Sequence, residues 1–203
     1  MAYGLSRSQE QRLVASAAAG DREACGILIR THQQGVYAYI LRLCGRPELA
    51  EDVVQEAFVR VLTNLDRFDT RFRFSTWVFT IARRVMMNVM EKRRPVSDSD
   101  RAQEAGGRSC QVSLNAEVKE HRSVCRDAVQ KALMSLSIEQ REVMVLFHQH
   151  DWPIWLIGEH LEMPEGTVKS HLHRGRTRLR ALLEQHPARN QFTETTDEES
   201  RTR

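Results

Sequence analysis

Residues 155–172 read WLIGEHLEMPEGTVKSHL, and this stretch decides the fold. Its first part has the apolar spacing of a short helix, Met163-Pro164 predicts a tight turn, and Val168 and Leu172 mark the buried face of a longer second helix. This order is the layout of a helix-turn-helix, whose second helix enters the major groove of duplex DNA. We therefore expect a domain of small helices that binds DNA.

The second helix of this motif carries polar and basic residues near its start. Lys and Arg side chains can reach guanine acceptors in the groove, and the Gly166 and Thr167 amides at the helix start can hold a phosphate. The predicted contacts to duplex DNA are Thr167, Lys169, Ser170, His173, Arg174 and Arg178.

Helical periodicity extends through most of the chain, and the alternation typical of strands is nowhere sustained. Apolar residues recur every three or four positions from Leu49 to Leu65 and from Trp77 to Met90. The predicted end signals are Asp21 and Gly45 around one helix, Ser75 or Thr76 before Trp77, a capping box of Ser137 with Gln140, and Pro153 as a first helical residue.

The fold class that we predict is all-α, with two small helical domains joined by a flexible linker. The first domain comprises residues 1–94 and the second, which contains the helix-turn-helix, residues 126–187. Residues 95–125 begin with a stretch rich in Pro, Gly and Ser and read as the linker, and helical patterning resumes near Glu117. Residues 188–203 are polar and are expected to form a disordered tail.

The composition of the 203 residues, 41% hydrophobic and 28% charged, is that of a soluble globular protein. A run of about 18 uncharged apolar residues does not occur, so membrane insertion is not expected. Charges at Arg7, Glu10 and Arg12 argue against a secretory signal, and we expect a cytoplasmic protein. The four cysteines form no CxxC pair, so free thiols are expected, with no metal site and no cofactor.

The formal net charge of +3 conceals blocks of opposite sign. Residues 48–69 contain six acidic and two basic residues, whereas residues 71–94 contain one acidic and seven basic residues, and residues 165–187 two acidic and five basic ones. Two separate basic helices indicate two contacts with nucleic acid, although a single basic run is usually only a solvated face.

Aromatic residues alternate with the arginines at the start of the first basic block. Such interleaving suits single-stranded nucleic acid, because bases stack on the rings while the cations neutralise phosphates. Core packing is the alternative for each ring, and we expect it for Trp77 and Phe79 more than for Phe72 and Phe74.

Three motifs in this order resemble those of the extracytoplasmic-function (ECF) class of bacterial RNA polymerase sigma factors. Asp52-Val53-Val54-Gln55-Glu56-Ala57-Phe58 is similar to the most typical motif of the family. Phe74-Ser75-Thr76-Trp77 with Ile81-Ala82-Arg83 resembles the part that melts and reads the minus-ten promoter element. Gly166-Thr167-Val168-Lys169-Ser170 with His173-Arg174 is similar to the recognition helix for the minus-thirty-five element.

The resemblance implies a function and a set of partners. A sigma factor binds core RNA polymerase, directs promoter recognition, DNA melting and transcription initiation, and is commonly held inactive by an anti-sigma factor. The implied polymerase-binding residues are Asp52, Gln55, Glu56 and Phe58. The implied contacts to the melted non-template strand at the minus-ten element are Phe72, Phe74, Ser75, Trp77, Arg83, Arg84 and Asn88.

Other classes of function receive less support. The sequence has no Gly-rich phosphate loop, HExxH motif or nucleophile elbow, so catalysis is not expected. The main alternative is a helix-turn-helix regulator that binds operator DNA without polymerase, its first domain sensing a ligand or forming a dimer. A nucleic-acid-modifying or metal-binding protein is a further class, for which the scattered cysteines are thin support.

Overall fold

The structure is a computed structural model that describes residues 5–92 and 116–185. All regular elements of these residues are helices, as the sequence predicts. The chain divides into two compact units at Gly106 and Gly107. Most of the predicted linker and the predicted tail, residues 188–203, lie outside the described residues.

The first unit has four α-helices and one 3₁₀ turn within its described residues. They are α1 (Arg7–Ala18), α2 (Arg22–Cys44), α3 (Pro47–Thr63), the 3₁₀ turn (Leu65–Arg67) and α4 (Phe74–Lys92). Both predicted end signals of α2 are confirmed: the Asp21 carboxylate accepts from two amides of the first turn, and Gly45 closes the helix with a φ of 67°. A left-handed residue of this kind favours glycine, because a side chain would be strained there.

The core of the first unit lies where α2, α3 and α4 pack together. The ring of Tyr39 on α2 lies 5.1 Å from that of Phe79 on α4, and both side chains are buried. Val53, Ala57 and Val61 of α3 are buried with them, at the threefold and fourfold spacing that the sequence shows.

Two features of the first unit differ from the prediction. Sequence periodicity missed α1, which has only Val14 and Ala17 as buried apolar residues and relies on a capping box of Ser6 with Gln9. Helix α4 begins at Phe74, so neither Ser75 nor Thr76 precedes it as a cap. The Phe74 amide instead donates to the Glu10 carboxylate of α1, at 3.4 Å.

The second unit is built from α5 (Ala116–Met134), α6 (Ile138–Gln149), α7 (Ile154–Leu161) and α8 (Glu165–Glu184). Helix α5 begins at Ala116, so residues 116–125, which we assigned to the linker, are helical. The capping box of Ser137 with Gln140 is confirmed. Pro153 precedes α7 as its N-cap and is not its first residue.

A buried guanidinium joins α5 to α6. Arg141, 6% exposed, donates to the carbonyl oxygens of Leu133, Met134 and Leu136 at 2.9–3.1 Å. Helix C-termini leave carbonyl groups without intrahelical partners, and a cation there also complements the helix dipole. Arg141 thus fixes the turn that orients α6, against which α8 packs.

Candidate nucleic-acid and partner interfaces

One face of α3 is acidic and solvent-exposed. Asp52, Gln55, Glu56 and Val59 recur at the spacing of one helical face, and all four are exposed. Val59 is an apolar residue with 60% of its surface exposed. The Glu56 carboxylate accepts from the Arg60 guanidinium at 2.6 Å, so its charge is partly matched within the helix. The face offers three oxygen-bearing side chains around one apolar residue.

Phe58 does not belong to this acidic face. Its side chain is 6% exposed and lies with the core residues Ala57 and Val61 of the same helix. In the sequence motif Phe58 follows Glu56 by two residues, and each residue along a helix turns the side-chain direction by about 100°, so the two side chains point to different faces. We therefore omit Phe58 from the candidate surface.

A loop of residues 68–73, hereafter the 68–73 loop, joins the 3₁₀ turn to α4 and is held by an aromatic cluster. The Phe68 ring lies 5.6 Å from the ring of Phe74 and 5.2 Å from that of Trp77, and the His32 ring lies 5.3 Å from Phe74. Phe74 is 0% exposed, so the expectation that it is more accessible than Trp77 is wrong. Phe79 is buried as expected, whereas Trp77 is half-buried.

Phe72 is the aromatic residue of this region that faces solvent. Its side chain is 52% exposed and is flanked by the exposed Arg71 and Arg73. Asp69 organises the turn before it, because its carboxylate accepts from both the amide and the guanidinium of Arg71 at 2.6–3.1 Å. These hydrogen bonds lower the pKa of Asp69. An exposed ring between two cations is what base stacking with phosphate neutralisation requires.

A stripe along α4 continues from the aromatic cluster. Trp77, Arg84 and Asn88 are seven and four residues apart, which returns them to one face, and the last two are exposed. The helical rise makes this stripe about 16 Å long, enough for several nucleotides. Ser75 and Arg83 are half-buried. Asn88 also lines a groove of about 390 Å³ together with Glu56 and Arg60 of α3.

In the second unit, the exposed side of α8 carries most of the predicted duplex contacts. Lys169, Ser170, His173 and Arg174 line an open groove of about 500 Å³. Arg178 is exposed one turn further along, whereas Thr167 is half-buried. The Ser170 hydroxyl donates to the Gly166 carbonyl oxygen and the Arg174 guanidinium to the Ser170 carbonyl oxygen, which directs both side chains along the helix.

Helix α8 carries a second basic row that the sequence motifs did not predict. The Arg176 guanidinium lies 5.2 Å from the centre of the Phe147 ring and donates to His148 Nε2 at 3.2 Å. Burial first, and then the Arg176 charge, lower the pKa of His148, which suits a neutral acceptor. Arg176 and Arg180 border a cavity of about 380 Å³ whose floor includes Leu172. The sequence signal for this basic row is the spacing of its members: Arg176 follows Lys169 by seven residues, and Arg180 follows Arg176 by four.

The turn between α7 and α8 has well-defined hydrogen bonds. Glu162 adopts the left-handed conformation, with φ 56°, and the Met163 amide donates to the Gly158 carbonyl oxygen at 2.9 Å. The Thr167 amide donates to the Pro164 carbonyl oxygen at 2.9 Å. This bond removes the Thr167 backbone amide from the predicted phosphate site, and a phosphate contact of the Gly166 backbone amide stays a prediction.

Comparison with known proteins identifies the family. Residues 28–95 match Sigma-70 region 2, and residues 126–179 match Sigma-70, region 4. The ECF RNA polymerase sigma factor SigW of Bacillus subtilis (strain 168) is 32% identical over 171 residues, which are 81% of this chain and 91% of SigW. The chain belongs to the ECF class of RNA polymerase sigma factors. It binds core RNA polymerase and promoter DNA and directs transcription initiation.

Further relatives agree with this membership. The sigma factor is 31% identical over 175 residues to the ECF sigma factor SigL of Mycobacterium tuberculosis (strain H37Rv), with 85% of this chain and 96% of SigL covered. A solved structure of CnrH in complex with the cytosolic domain of CnrY is 27% identical, with a TM-score of 0.63, and the match covers 86% of this chain and 97% of CnrH. Within the described residues of the sigma factor, no helix is long and apolar enough to cross a membrane.

Proposed function

We propose that this sigma factor recognises a bipartite promoter through two surfaces and docks on core polymerase through a third. The first unit takes the melted non-template strand of the minus-ten element, and α8 of the second unit reads the duplex of the minus-thirty-five element. The acidic face of α3 docks on polymerase. The observation that carries the proposal is the match to regions 2 and 4 in this order, with an exposed ring in one and an exposed basic helix face in the other.

At the minus-ten element, Phe72 is the proposed stacking platform for an unpaired base. The arginines on either side neutralise phosphates, and the stripe of Trp77, Arg84 and Asn88 guides the strand along α4. Ser75 and Arg83 have part of their surface available for the same strand. Phe74 is proposed to hold the end of the 68–73 loop, because its buried ring packs against the rings of Phe68 and Trp77.

At the minus-thirty-five element, Lys169 and Arg174 are the proposed readers of base edges. They lie in the first half of α8, where recognition helices of this motif reach the groove floor. Ser170 and His173 lie beside them, and Thr167 and Arg178 flank the groove at the two ends of this face. Arg176 and Arg180, further round the helix, are proposed to contact phosphates only.

On α3, Val59 is the proposed apolar centre of the polymerase contact, and Asp52, Gln55 and Glu56 form its polar rim. Interfaces of this kind have a desolvated centre surrounded by charges that steer association. An acidic rim predicts a basic partner surface on polymerase.

We propose further that an anti-sigma factor controls this chain, as is common in the ECF class to which it belongs. A solved structure of the sigma factor RpoE from Bartonella quintana, which shares the fold at 24% identity and a TM-score of 0.60, contains the anti-sigma factor NepR. The chain acts in the cytoplasm, where polymerase is, and supplies recognition while polymerase supplies catalysis.

Run-off transcription with purified core polymerase on fragments of the source genome tests the proposal. We expect promoter-dependent transcripts with the wild-type chain, and their loss in Phe72→Ala and in Lys169→Ala/Arg174→Ala. Arg12→Ala, on an exposed face of α1 away from these surfaces, is the matched control. The absence of transcripts on any template, together with tight polymerase-free binding to one operator, would overturn the proposal in favour of a stand-alone regulator.

A further inference from the structure

Helix α1 carries a buried carboxylate that the functions above do not use. Glu10 is 3% exposed, and its Oε2 lies 3.2 Å from Arg73 Nε in an ion pair and accepts a hydrogen bond from the Phe74 backbone amide at 3.4 Å. A carboxylate is costly to bury unless it is paired or hydrogen-bonded. Both of these partners belong to the junction of the 68–73 loop with α4. Helix α1 precedes residue 28, where the match to region 2 begins.

Two neighbours of Glu10 on the same face of α1 hold the middle of the loop. The Arg7 guanidinium donates to the Arg71 carbonyl oxygen at 2.7 Å, and the side-chain amide of Gln11 donates to the Thr70 carbonyl oxygen at 3.0 Å. Positions 7, 10 and 11 share one face of a helix by their spacing. In return, Arg73 donates to the Leu5 carbonyl oxygen at 3.4 Å. Side chains of α1 therefore contact backbone groups on both sides of Phe72.

These contacts bear on the loop's backbone conformation. Ordering one residue costs about 1–2 kcal/mol of conformational entropy. If a loop is already ordered before its ligand arrives, that cost is not subtracted from the binding free energy. Phe72 itself is 52% exposed, so its own side chain does little to order the 68–73 loop.

We propose that α1 is a positioning element for minus-ten recognition, in which Arg7, Glu10 and Gln11 hold the 68–73 loop so that Phe72 is presented to the melted strand. The proposal rests on the proposed role of Phe72. It adds to that role three residues that do not themselves contact DNA and that lie outside the matched region.

The test uses holoenzyme assembled from core polymerase with the full-length sigma factor. The variants are Arg7→Ala, Gln11→Ala and their combination, because both side chains lie nearer the surface than Glu10 and their removal spares the core. Arg12→Ala is the matched control, since its guanidinium is exposed and donates within α1 to the Ser8 carbonyl oxygen. The probe is a short single-stranded DNA selected from a random pool by the wild-type holoenzyme.

Each single variant is expected to weaken binding of this single strand by about twofold to tenfold, the equivalent of one hydrogen bond. Affinity for core polymerase and for a duplex selected on the same holoenzyme should remain within twofold. The control variant should match the wild type in all three measurements. Equal losses of single-strand, duplex and polymerase binding would mean that α1 merely stabilises the fold, and would overturn the proposal.

A double-mutant cycle with Phe72→Ala separates positioning from a direct contact. If Arg7 and Gln11 act through Phe72, their combined replacement has no further effect on single-strand binding once Phe72 is Ala. Additive losses would overturn the proposal. A Phe72→Ala variant that binds the single strand as the wild type does would instead overturn the proposed function of Phe72.

Glu10→Gln, which keeps one acceptor oxygen for the Phe74 backbone amide, should bind the strand better than Glu10→Ala. Equal affinities of these two variants would argue against the role of Glu10.

Discussion

At the scale of single residues, two phenylalanines two positions apart have opposite environments. Phe74 is 0% exposed and Phe72 is 52% exposed. We expect Phe74→Ala to lower the free energy of unfolding by about 3–5 kcal/mol, as is usual when a buried phenylalanine is truncated. Phe72→Ala should change it by less than about 0.5 kcal/mol. Urea unfolding followed by far-ultraviolet circular dichroism measures both.

Phe72, whose truncation should leave stability unchanged, is expected to matter for binding of single-stranded DNA. Loss of one stacking ring weakens single-strand binding by about 1–3 kcal/mol, so Phe72→Ala should bind the selected strand about fivefold to a hundredfold more weakly at unchanged stability. Phe72→Trp, which keeps a stacking surface, is the control and should retain binding. A destabilised Phe72→Ala would show that the ring packs in the fold instead.

We expect His32 to make the stability of the first unit depend on pH. Burial first, and then the Arg73 charge, lower its pKa to about 4, even though a Glu10 oxygen lies 3.7 Å away. Above about pH 6.5 the ring is neutral in both folded and unfolded chains. Between about 6.5 and 4 only the unfolded chain takes up the proton, so stability falls by at most about 3 kcal/mol, and below about 4 this loss is complete.

The measurement is the free energy of unfolding of the first unit between pH 7 and pH 4. Trp77 fluorescence reports on this unit when Trp152 and Trp155 are replaced by Phe. The His32→Gln variant removes the titrating ring, so its stability should fall less steeply over this range. Identical slopes in the two chains would assign the pH dependence to other groups.

At the scale of elements, the sequence predicted those helix ends whose capping residues lie within the helix or next to it. Asp21 with Gly45, and Ser137 with Gln140, define helix ends through hydrogen bonds with the adjacent turn, so local spacing is enough to find them. The start of α4 was missed because the acceptor of the Phe74 amide is Glu10, 64 residues earlier. For the same reason Phe74 was assigned to the DNA surface, since its burial depends on Phe68 and His32 together.

Two glycines of the helix-turn-helix should respond differently to a methyl group. A Cβ at Gly158 would lie 2.9 Å from the Met163 carbonyl oxygen, a backbone atom that forms part of the turn, whereas a Cβ at Gly166 has nothing within 4 Å. Gly158→Ala should therefore destabilise the second unit by more than about 1 kcal/mol. Gly166→Ala should stabilise it by up to about 1 kcal/mol, because alanine loses less backbone entropy in a helix.

Thermal unfolding of the two variants, followed by Trp152 and Trp155 fluorescence with Trp77 replaced by Phe, measures this difference. Because Gly158 orients α8 through the turn, its variant should also weaken duplex binding by the holoenzyme. If Gly158→Ala proved as stable as the wild type, the turn would have to be looser than its 2.9 Å hydrogen bond from Met163 to Gly158 indicates.

At the scale of the whole molecule, the net charge of +3 is the sum of acidic and basic surfaces, for which we propose different partners. The basic residues of α8 attract DNA, whereas the acidic face of α3 repels it. We therefore expect the chain, when free of polymerase, to have little electrostatic affinity for random DNA, since that affinity comes from phosphate neutralisation. The same acids favour association with a basic partner.

Removing three acids should consequently move two affinities in opposite directions. The variant combines Asp52 and Glu56 of this face with Glu51, which is exposed next to Asp52. In Glu51→Gln/Asp52→Asn/Glu56→Gln the net charge rises from +3 to +6, so the free chain should bind random duplex DNA more tightly, with a steeper dependence on salt. Its association rate with core polymerase should fall by about tenfold at low salt and by less at high salt.

The control is Glu159→Gln/Glu162→Gln/Glu184→Gln, three exposed acids of α7, of the turn and of α8. Stopped-flow association and DNA titrations compare the two chains: both should gain affinity for DNA, and only the α3 variant should lose polymerase. Equal association rates with polymerase would place the docking surface elsewhere than on the acidic face of α3.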